Sequence, residues 1–156
     1  PELTMVQVQK LGQARILPLE CLVHGRITLM ISEFCALGAY LGERDGNPCT
    51  GVCKQGEYLL QDRKGEFFPV ISDDSCRMHI LNGKELSMLP HVYRLAQAGI
   101  SRLRVEGCQM NPAYLEKITS LYRRAIDVGP EGLSATEIDA FEHEDITRGH
   151  YFRGVL

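Results

Sequence analysis

The sequence predicts an α/β protein in which helices alternate with parallel strands. Three observations indicate this class. Apolar residues recur at helical spacing over residues 86–96 and 112–126, and apolar stretches at 16–23 and 100–106 have the length of strands. A glycine-rich segment with cysteines follows the first strand. Two main strands cannot close a barrel, so the pattern fits a small α/β domain or the end of a larger one.

Length and composition indicate one domain over residues 1–156 with an ordinary core. The chain is 44 % hydrophobic and 24 % charged, and its net charge is −3, so charge alone does not indicate nucleic-acid binding. No apolar run approaches the ~20 residues of a membrane helix, and the first residues do not resemble a signal peptide. We therefore expect a cytoplasmic protein without a membrane partner.

The first elements are a helix and a buried strand. Thr4 and Gln7 have the spacing of a capping box, which predicts a helix over residues 4–14. The stretch 16–23 is mostly apolar and glycines flank it, which is typical of a buried strand. His24 comes directly after this strand.

A cysteine-rich insertion is predicted over residues 33–82. Residues 33–54 have little periodicity and many glycines, so we expect a loop with one helical turn near Cys35. Residues 57–71 read as a β-hairpin that turns at 62–65, and a short apolar stretch follows at 78–81.

The last third of the chain is more regular. A helix is expected from Leu86 to Gly99, where glycine ends it, and then a strand over residues 100–106. Asn111-Pro112 is typical of a helix start, and Ser134 with Glu137 predicts a smaller helix. The tail from residue 148 has no regular pattern.

Six cysteines are the one unusual feature of the composition. Four of them lie in the insertion and could form a tetrahedral sulfur site, which selects zinc or an iron–sulfur cluster: Cys35, Cys49, Cys53 and Cys76. Buried free thiols and disulfides are the alternatives. We expect Cys21 to be a small buried residue of the first strand, and Cys108 follows the strand over 100–106.

Four motifs, in order, resemble the peptidase U32 (collagenase-like protease) family. They are Leu22-Val23-His24-Gly25 before the cysteine loop, the strand Ile100 to Gly107, the helix segment Tyr122 to Asp127, and the tail from Thr147 to Gly154. The resemblance runs from about Leu3 to the end of the chain.

The resemblance implies the last βα units of a TIM-like barrel with a cysteine-bearing extension. It also implies that the N-terminal barrel units are missing from this chain and would be its partner in a longer protein. Relatives of this family were named proteases. Better understood ones are iron–sulfur proteins for hydroxylation of tRNA uridine, 23S rRNA cytidine or ubiquinone precursors, and some take the hydroxyl group from prephenate.

The resemblance further implies a 4Fe–4S cluster on Cys35, Cys49 and Cys53. Either Cys76 or the missing part of the chain would supply the fourth ligand. Two positions depart from the family pattern. Thr28 replaces a cysteine that many members carry, and Cys108 replaces an arginine. RNA or a small carboxylate such as prephenate is the expected partner.

Polar residues at strand ends are the other candidates. His24 and Glu106 end the two main strands, where a barrel keeps its catalytic groups, so both are candidate acid–base residues. Arg77 and His79 flank Cys76 and could hold a carboxylate, and Arg104 beside Glu106 completes the candidate substrate-binding set.

Two other functions stay open at this point. A peptidase needs a nucleophile or a metal-bound water, yet the sequence has neither an H-E-x-x-H nor a G-x-S-x-G motif. A zinc-stabilised interaction module would use the four thiolates for stability alone.

Overall fold

The structure is a computed structural model that describes residues 2–14, 16–42, 49–129, 132–142 and 145–153. Within these ranges the helices are Met5–Ala14 (α1), Ala36–Tyr40 (α2), Val92–Gln97 (α3), Pro112–Val128 (α4) and Ala135–Phe141 (α5). The strands are Leu19–Gly25 (β1), Thr28–Ser32 (β2), Tyr58–Gln61 (β3), Phe67–Ser72 (β4), Met78–Leu81 (β5), Glu85–Ser87 (β6), Ile100–Val105 (β7) and Ile146–Thr147 (β8). None of these helices is long and apolar enough to cross a bilayer.

The chain divides into two compact units. Unit 1 comprises residues 1–25 and 84–156, and unit 2 comprises residues 26–83. The cysteine-rich insertion expected over 33–82 falls within unit 2. Each unit contains one sheet, so the protein is a mixed α/β protein, as predicted.

Unit 1 is built on a four-stranded sheet in the order β7-β1-β6-β8. β1 and β7 are parallel, as the sequence predicted for its two main strands, whereas β6 runs antiparallel to β1. The largest fully buried apolar side chains of this unit are Leu86, Met88, Leu95, Ile118 and Val23. The sheet is open over the described residues, so the barrel stays a prediction.

Helix α4 covers this core because of its sequence pattern. The Asn111 side chain accepts a hydrogen bond from the Tyr114 amide at 2.8 Å, and Pro112 occupies the first turn, where its missing N–H costs nothing. Three residues at helical spacing are buried, namely Ile118, Tyr122 and Ala125. The predicted N-terminus of this helix is confirmed.

Unit 2 is an antiparallel sheet in the order β2-β5-β4-β3. The predicted hairpin corresponds to β3 and β4, and its turn is closed by Asp62, whose Oδ1 accepts hydrogen bonds from the Lys64 and Glu66 amides at 2.8 and 3.0 Å. Val70, Met78 and Ile80 form its core.

Two predictions of secondary structure were wrong in part, and two short strands were not predicted. The first strand begins at Leu19 rather than at residue 16, and β2 lies where no element was predicted. Leu86 belongs to the short strand β6, and the helix expected from there begins as a 3₁₀ turn at Leu89–His91 before α3. The tail expected to be irregular is preceded by β8, which pairs with β6.

Candidate functional site

Cys35 and Cys49 lie beside the short helix α2 in unit 2. Cys35 is the N-cap of this helix, and its Sγ accepts a hydrogen bond from the Gly38 amide at 3.3 Å. The sulfur of Cys49 lies against Gly42, just beyond the other end of the helix, so closely that a Cβ on Gly42 would come within 3.0 Å of it. Both thiols are half-buried. The helical turn predicted near Cys35 is therefore present.

Cys53 and Cys76 lie in two turns of the same unit. Cys53 is in the 3₁₀ turn Val52–Lys54, which is tied to β3 because the Tyr58 hydroxyl donates to the Val52 carbonyl at 2.9 Å. Cys76 is exposed in the turn between β4 and β5 and has a φ of 59°, a conformation that non-glycine residues rarely adopt.

The strand register brings all these turns to one end of the unit 2 sheet. β2 ends and β5 begins at the paired residues Ser32 and Met78, and β4 ends at Ser72, which also pairs with Met78. β3 begins at Tyr58, opposite Val70 of β4. Cys35 follows β2, Cys49 and Cys53 precede β3, and Cys76 precedes β5.

Four thiols at one end of a small sheet match the donor chemistry of an iron–sulfur cluster or a zinc ion. In the described ranges, no three His, Cys, Asp or Glu side chains are close enough together to hold a metal ion. The four thiols therefore do not surround one point. The residue types and their common end of the sheet fit a cluster, whereas closing the site requires the thiols to turn toward one another.

Asp73 organises the turn that carries Cys76. Its Oδ1 accepts hydrogen bonds from the Ser75 and Arg77 amides at 3.0 and 2.9 Å. Its Oδ2 lies 3.1 Å from His79 Nε2 and accepts from Arg77 Nε at 2.8 Å. Hydrogen bonding by His79, and then by Arg77, holds the pKa of this carboxyl well below its usual range.

Arg77 and His79, both predicted to bind substrate, are thus brought together by one carboxylate. The sequence analysis did not single out Asp73, although Asp-x-x-x-Arg before a strand is a spacing that allows an Asp side chain to close a turn.

His24, at the end of β1 in unit 1, is fully buried. Its Nε2 lies 3.2 Å from Glu85 Oε1, a distance typical of an ion pair, but the two atoms lack hydrogen-bond geometry. The Tyr114 hydroxyl donates to the other oxygen of Glu85 at 3.1 Å. Within unit 1 the His24 ring lies among the rings of Tyr114, Tyr122 and Phe141, and its expected position at a catalytic mouth stays a prediction.

Tyr122 connects His24 to the backbone around it. Its hydroxyl donates to the Val23 carbonyl at 2.7 Å, accepts from the Met88 amide at 3.0 Å and lies 3.4 Å from His24 Nδ1. Burial raises the pKa of Tyr122 above its ordinary value, so the hydroxyl stays protonated and can donate.

Glu106 lies at the same end of the parallel pair as His24, as predicted. Its amide donates to the His24 carbonyl at 2.9 Å, and its half-buried carboxylate accepts from Arg104 at 2.5 Å and from the Cys108 thiol at 3.2 Å. These contacts, that of Cys108 first, lower the pKa of Glu106, while the carboxylate raises the pKa of Cys108.

Gly25 allows the close approach of the two strand ends. Its φ is 116°, and a Cβ there would lie 2.5 Å from the Glu106 carbonyl oxygen. A side chain at this position would therefore push β1 and β7 apart just beyond His24.

A second polar cluster, which is partly buried, was not predicted from the sequence. Arg148 forms a bidentate ion pair with Glu142 and donates to the Ser87 carbonyl at 2.8 Å, and the Ser87 hydroxyl donates to Glu142 at 3.2 Å. Arg148 lies in the tail motif that carries the family resemblance, which was the available signal. Glu85 had no such signal, because it precedes apolar residues that were assigned to a helix.

Comparison with known families identifies the chain. The model of peptidase family U32 matches residues 1–154. The chain belongs to this family. Among U32 relatives, an uncharacterized protease of Methanocaldococcus jannaschii is 27 % identical over 99 % of the chain and 40 % of its own length. The tRNA hydroxylation protein P of Escherichia coli is 25 % identical over 84 % of the chain and 38 % of its own length.

A third U32 relative is also named for RNA hydroxylation. The 23S rRNA 5-hydroxycytidine synthase of Escherichia coli is 27 % identical over 81 % of the chain and 18 % of its own length. The chain therefore spans about two fifths of the first two relatives and less of the third. No solved structure matches the chain.

Proposed function

We propose that this U32 chain is the cysteine-bearing part of a cytoplasmic iron–sulfur enzyme that supports hydroxylation of tRNA or 23S rRNA. The observation that carries the proposal is the common position of four cysteines at one end of the unit 2 sheet. The names of the Escherichia coli relatives support the reaction class. In this proposal β1, β7 and their helices are the last βα units of a TIM-like barrel.

In the proposed enzyme Cys35, Cys49, Cys53 and Cys76 hold a 4Fe–4S cluster. Such a cluster supplies electrons or a site for a substrate oxygen. The Gly38 amide already donates to the Cys35 sulfur, and hydrogen bonds to ligand sulfurs raise or lower a cluster's potential. The left-handed backbone at Cys76 fixes the direction in which the fourth thiol leaves its turn.

Arg77, His79 and Arg104 are the side chains proposed to bind RNA phosphate or a small carboxylate such as prephenate. Each of them now contacts a carboxylate of the protein, Asp73 for the first two and Glu106 for the third. A bound anion would therefore compete with these carboxylates for the three side chains or share the side chains with them. An anion that accepts two charge-assisted hydrogen bonds would compete better than a weakly charged one.

Glu106 and His24 are the proposed acid–base residues. The contacts with Cys108 and Arg104 lower the pKa of Glu106, which keeps its carboxylate ionised at neutral pH but makes it a weak base, so proton acceptance requires these contacts to be released. His24 is shielded from water within unit 1, and its ring nitrogens lie near the Glu85 carboxylate and the Tyr122 hydroxyl, the groups with which it would exchange a proton.

Absorption and metal analysis of anaerobically purified protein test this proposal. We expect a broad band at about 400 nm with iron and sulfide, lost in Cys49→Ser and Cys76→Ser. Cys108→Ser is the matched control, since this cysteine lies in unit 1, and it should retain the band. One equivalent of zinc without iron would instead support a structural module.

Absence of both metals after anaerobic isolation would overturn the cluster. The peptidase function, which the name of the archaeal relative suggests, would then be tested by cleavage of gelatin. Hydroxylation of ubiquinone precursors is distinguished from the proposed reaction by supplying the loaded enzyme with either RNA or the quinone precursor.

A further inference from the structure

Phe152 is an exposed aromatic side chain in the C-terminal segment of unit 1. Its exposed fraction is 43 %, yet its ring is held by two neighbours. The His91 ring centroid lies 4.7 Å from that of Phe152, and the Arg94 guanidinium carbon lies 5.2 Å from the Phe152 centroid. Phe152 is thus fixed in place while it still presents surface to solvent.

The residue before Phe152 anchors the segment. Tyr151 is buried, its hydroxyl donates to the Leu22 carbonyl at 2.7 Å, and its carbonyl accepts from the Met5 amide at 2.8 Å. The preceding turn uses Gly149 at a φ of 56°. These two hydrogen bonds tie the backbone beside Phe152 to β1 and to α1. A ligand that contacts Phe152 therefore meets a preorganised surface.

The charge of this segment differs from that of the whole chain. The chain carries a net charge of −3, whereas residues 146–153 contain Arg148 and Arg153 and no acidic residue. Burial lowers the pKa of the nearby His91, and the positive charges of Arg148 and Arg94 lower it further. Since Arg148 is paired with Glu142, the cations exposed at this surface are Arg94, which lies over the Phe152 ring, and Arg153, which follows Phe152 in the chain.

A pocket of about 400 Å³ opens beside the ring. It is lined by Phe152, Arg153, Thr147, Arg148 and Asp139, among others. The volume is within the range of small-ligand sites. Glu142, which also lines it, is neutralised by its ion pair with Arg148, so the exposed Asp139 supplies the acidic hydrogen-bond acceptor of the pocket.

We propose that Phe152 and this pocket of unit 1 bind a nucleobase of single-stranded RNA. An aromatic face accepts any base by stacking, cations bind the flanking phosphates, and a carboxylate accepts from the exocyclic amino group of cytosine or adenine. The site combines these three elements. The inference rests on the RNA substrate of the proposed function, but it requires no metal.

Fluorescence anisotropy with labelled twelve-nucleotide oligocytidylate and oligouridylate tests the site in the full chain. Phe152→Ala should weaken binding at least about fivefold, because the variant loses the stacking of one base on the aromatic side chain. Phe152→Tyr should retain the affinity. The matched control is Phe67→Ala, an aromatic residue of similar exposure in unit 2, which should bind as the wild type does.

Two further variants separate the roles of the other groups. Arg153→Ala should weaken binding to both oligonucleotides and reduce the slope of affinity against salt by about one unit. Asp139→Ala should remove a preference for oligocytidylate over oligouridylate. Circular dichroism of each variant verifies that it is folded.

Equal affinity of Phe152→Ala and the wild type would overturn the site, as would a loss of equal size in Phe67→Ala. Absence of RNA binding in the wild type would also overturn it and would direct attention to a protein partner. Phe152-dependent binding by a protein that takes up no cluster would support the site while contradicting the proposed iron–sulfur function, so the two failures are distinguishable.

Discussion

The Glu106 carboxylate contacts two different groups, a guanidinium and a thiol. It forms an ion pair with Arg104 and accepts a hydrogen bond from the Cys108 thiol. The hydrogen bond to Glu106 holds the thiol proton, and the negative charge of the carboxylate disfavours a thiolate beside it, so Glu106 raises the pKa of Cys108 even though this thiol is exposed. Exposure alone is therefore a poor guide to the reactivity of Cys108.

Glu106→Gln should increase the rate at which iodoacetamide modifies Cys108. Removal of the negative charge lowers the pKa of the thiol, so at pH 7.5 the thiolate fraction and the rate of modification should rise severalfold. The rate difference should shrink as the pH rises above the pKa of the wild-type thiol. Peptide mass spectrometry of the metal-free protein measures this rate.

The exposed thiol of Cys76 provides the internal reference for this experiment, and Glu57→Gln provides the matched variant at an exposed acidic residue of unit 2. Glu57→Gln should leave the rate at Cys108 unchanged, and Glu106→Gln should leave the rate at Cys76 unchanged. An unchanged rate in Glu106→Gln would show that Glu106 does not control this thiol.

At the scale of elements, α1 contacts the end of α3 through a glycine. A Cβ at Gly12 would lie 1.6 Å from the carbonyl oxygen of Ala98, and Gly99 next to it has a φ of 83°. The helix can approach this turn only because position 12 carries no side chain.

Gly12→Ala should therefore destabilise the protein although alanine favours helix formation. The gain in helix propensity is about 1 kcal/mol, whereas overpacking against a backbone carbonyl typically costs about 1–3 kcal/mol and here also displaces α1. Urea unfolding measures the change. Gly56→Ala, where a Cβ would meet nothing within 4 Å, is the control and should leave the midpoint unchanged within error.

Elements with strong local signals were predictable from the sequence. The capping residues of α4 and α5 and the hairpin turn at Asp62 act within a few residues, so their effect is visible in the sequence. β6 was not predictable, since Leu86 and Leu89 continue the helical spacing and only pairing with β1 and β8 makes the segment a strand.

The same contrast applies to the candidate site. The cysteines, His24 and Glu106 could be singled out because of their residue type and their position at strand ends. Glu85 and Asp73 could not, because their roles depend on contacts with His24 and with His79 that the strand register creates.

At the scale of the whole molecule, the chain leaves unit 1 after β1 and returns to it just before β6, and these two strands are neighbours in one sheet. Gly25, the last residue of β1, pairs with Leu86, and His24 pairs with Ser87. The two ends of the insertion thus lead into the two strands of an antiparallel pair, which a short loop can join.

Replacement of residues 26–83 by Asn-Gly joins Gly25 to Leu86 through a four-residue loop that ends with Lys84 and Glu85, and it should leave unit 1 folded. We expect a cooperative thermal transition and retention of RNA binding through Phe152, but complete loss of metal. Circular dichroism, calorimetry and metal analysis measure these properties. A variant that is unfolded would show that unit 1 depends on unit 2 for its stability.

The position of the insertion also has a kinetic consequence. The pairing of His24 with Ser87 closes a loop of about sixty residues while unit 2 is unfolded, and loop-closure entropy grows with the logarithm of loop length. Once unit 2 has folded, Thr28 pairs with Leu81, and Arg26 donates to the carbonyls of Asn82 and Gly83. The remaining connection is a few residues long, which lowers the entropic cost of closure by about 2 kcal/mol. If unit 2 folds first, the unit 1 sheet, in which His24 lies on β1, should therefore assemble faster.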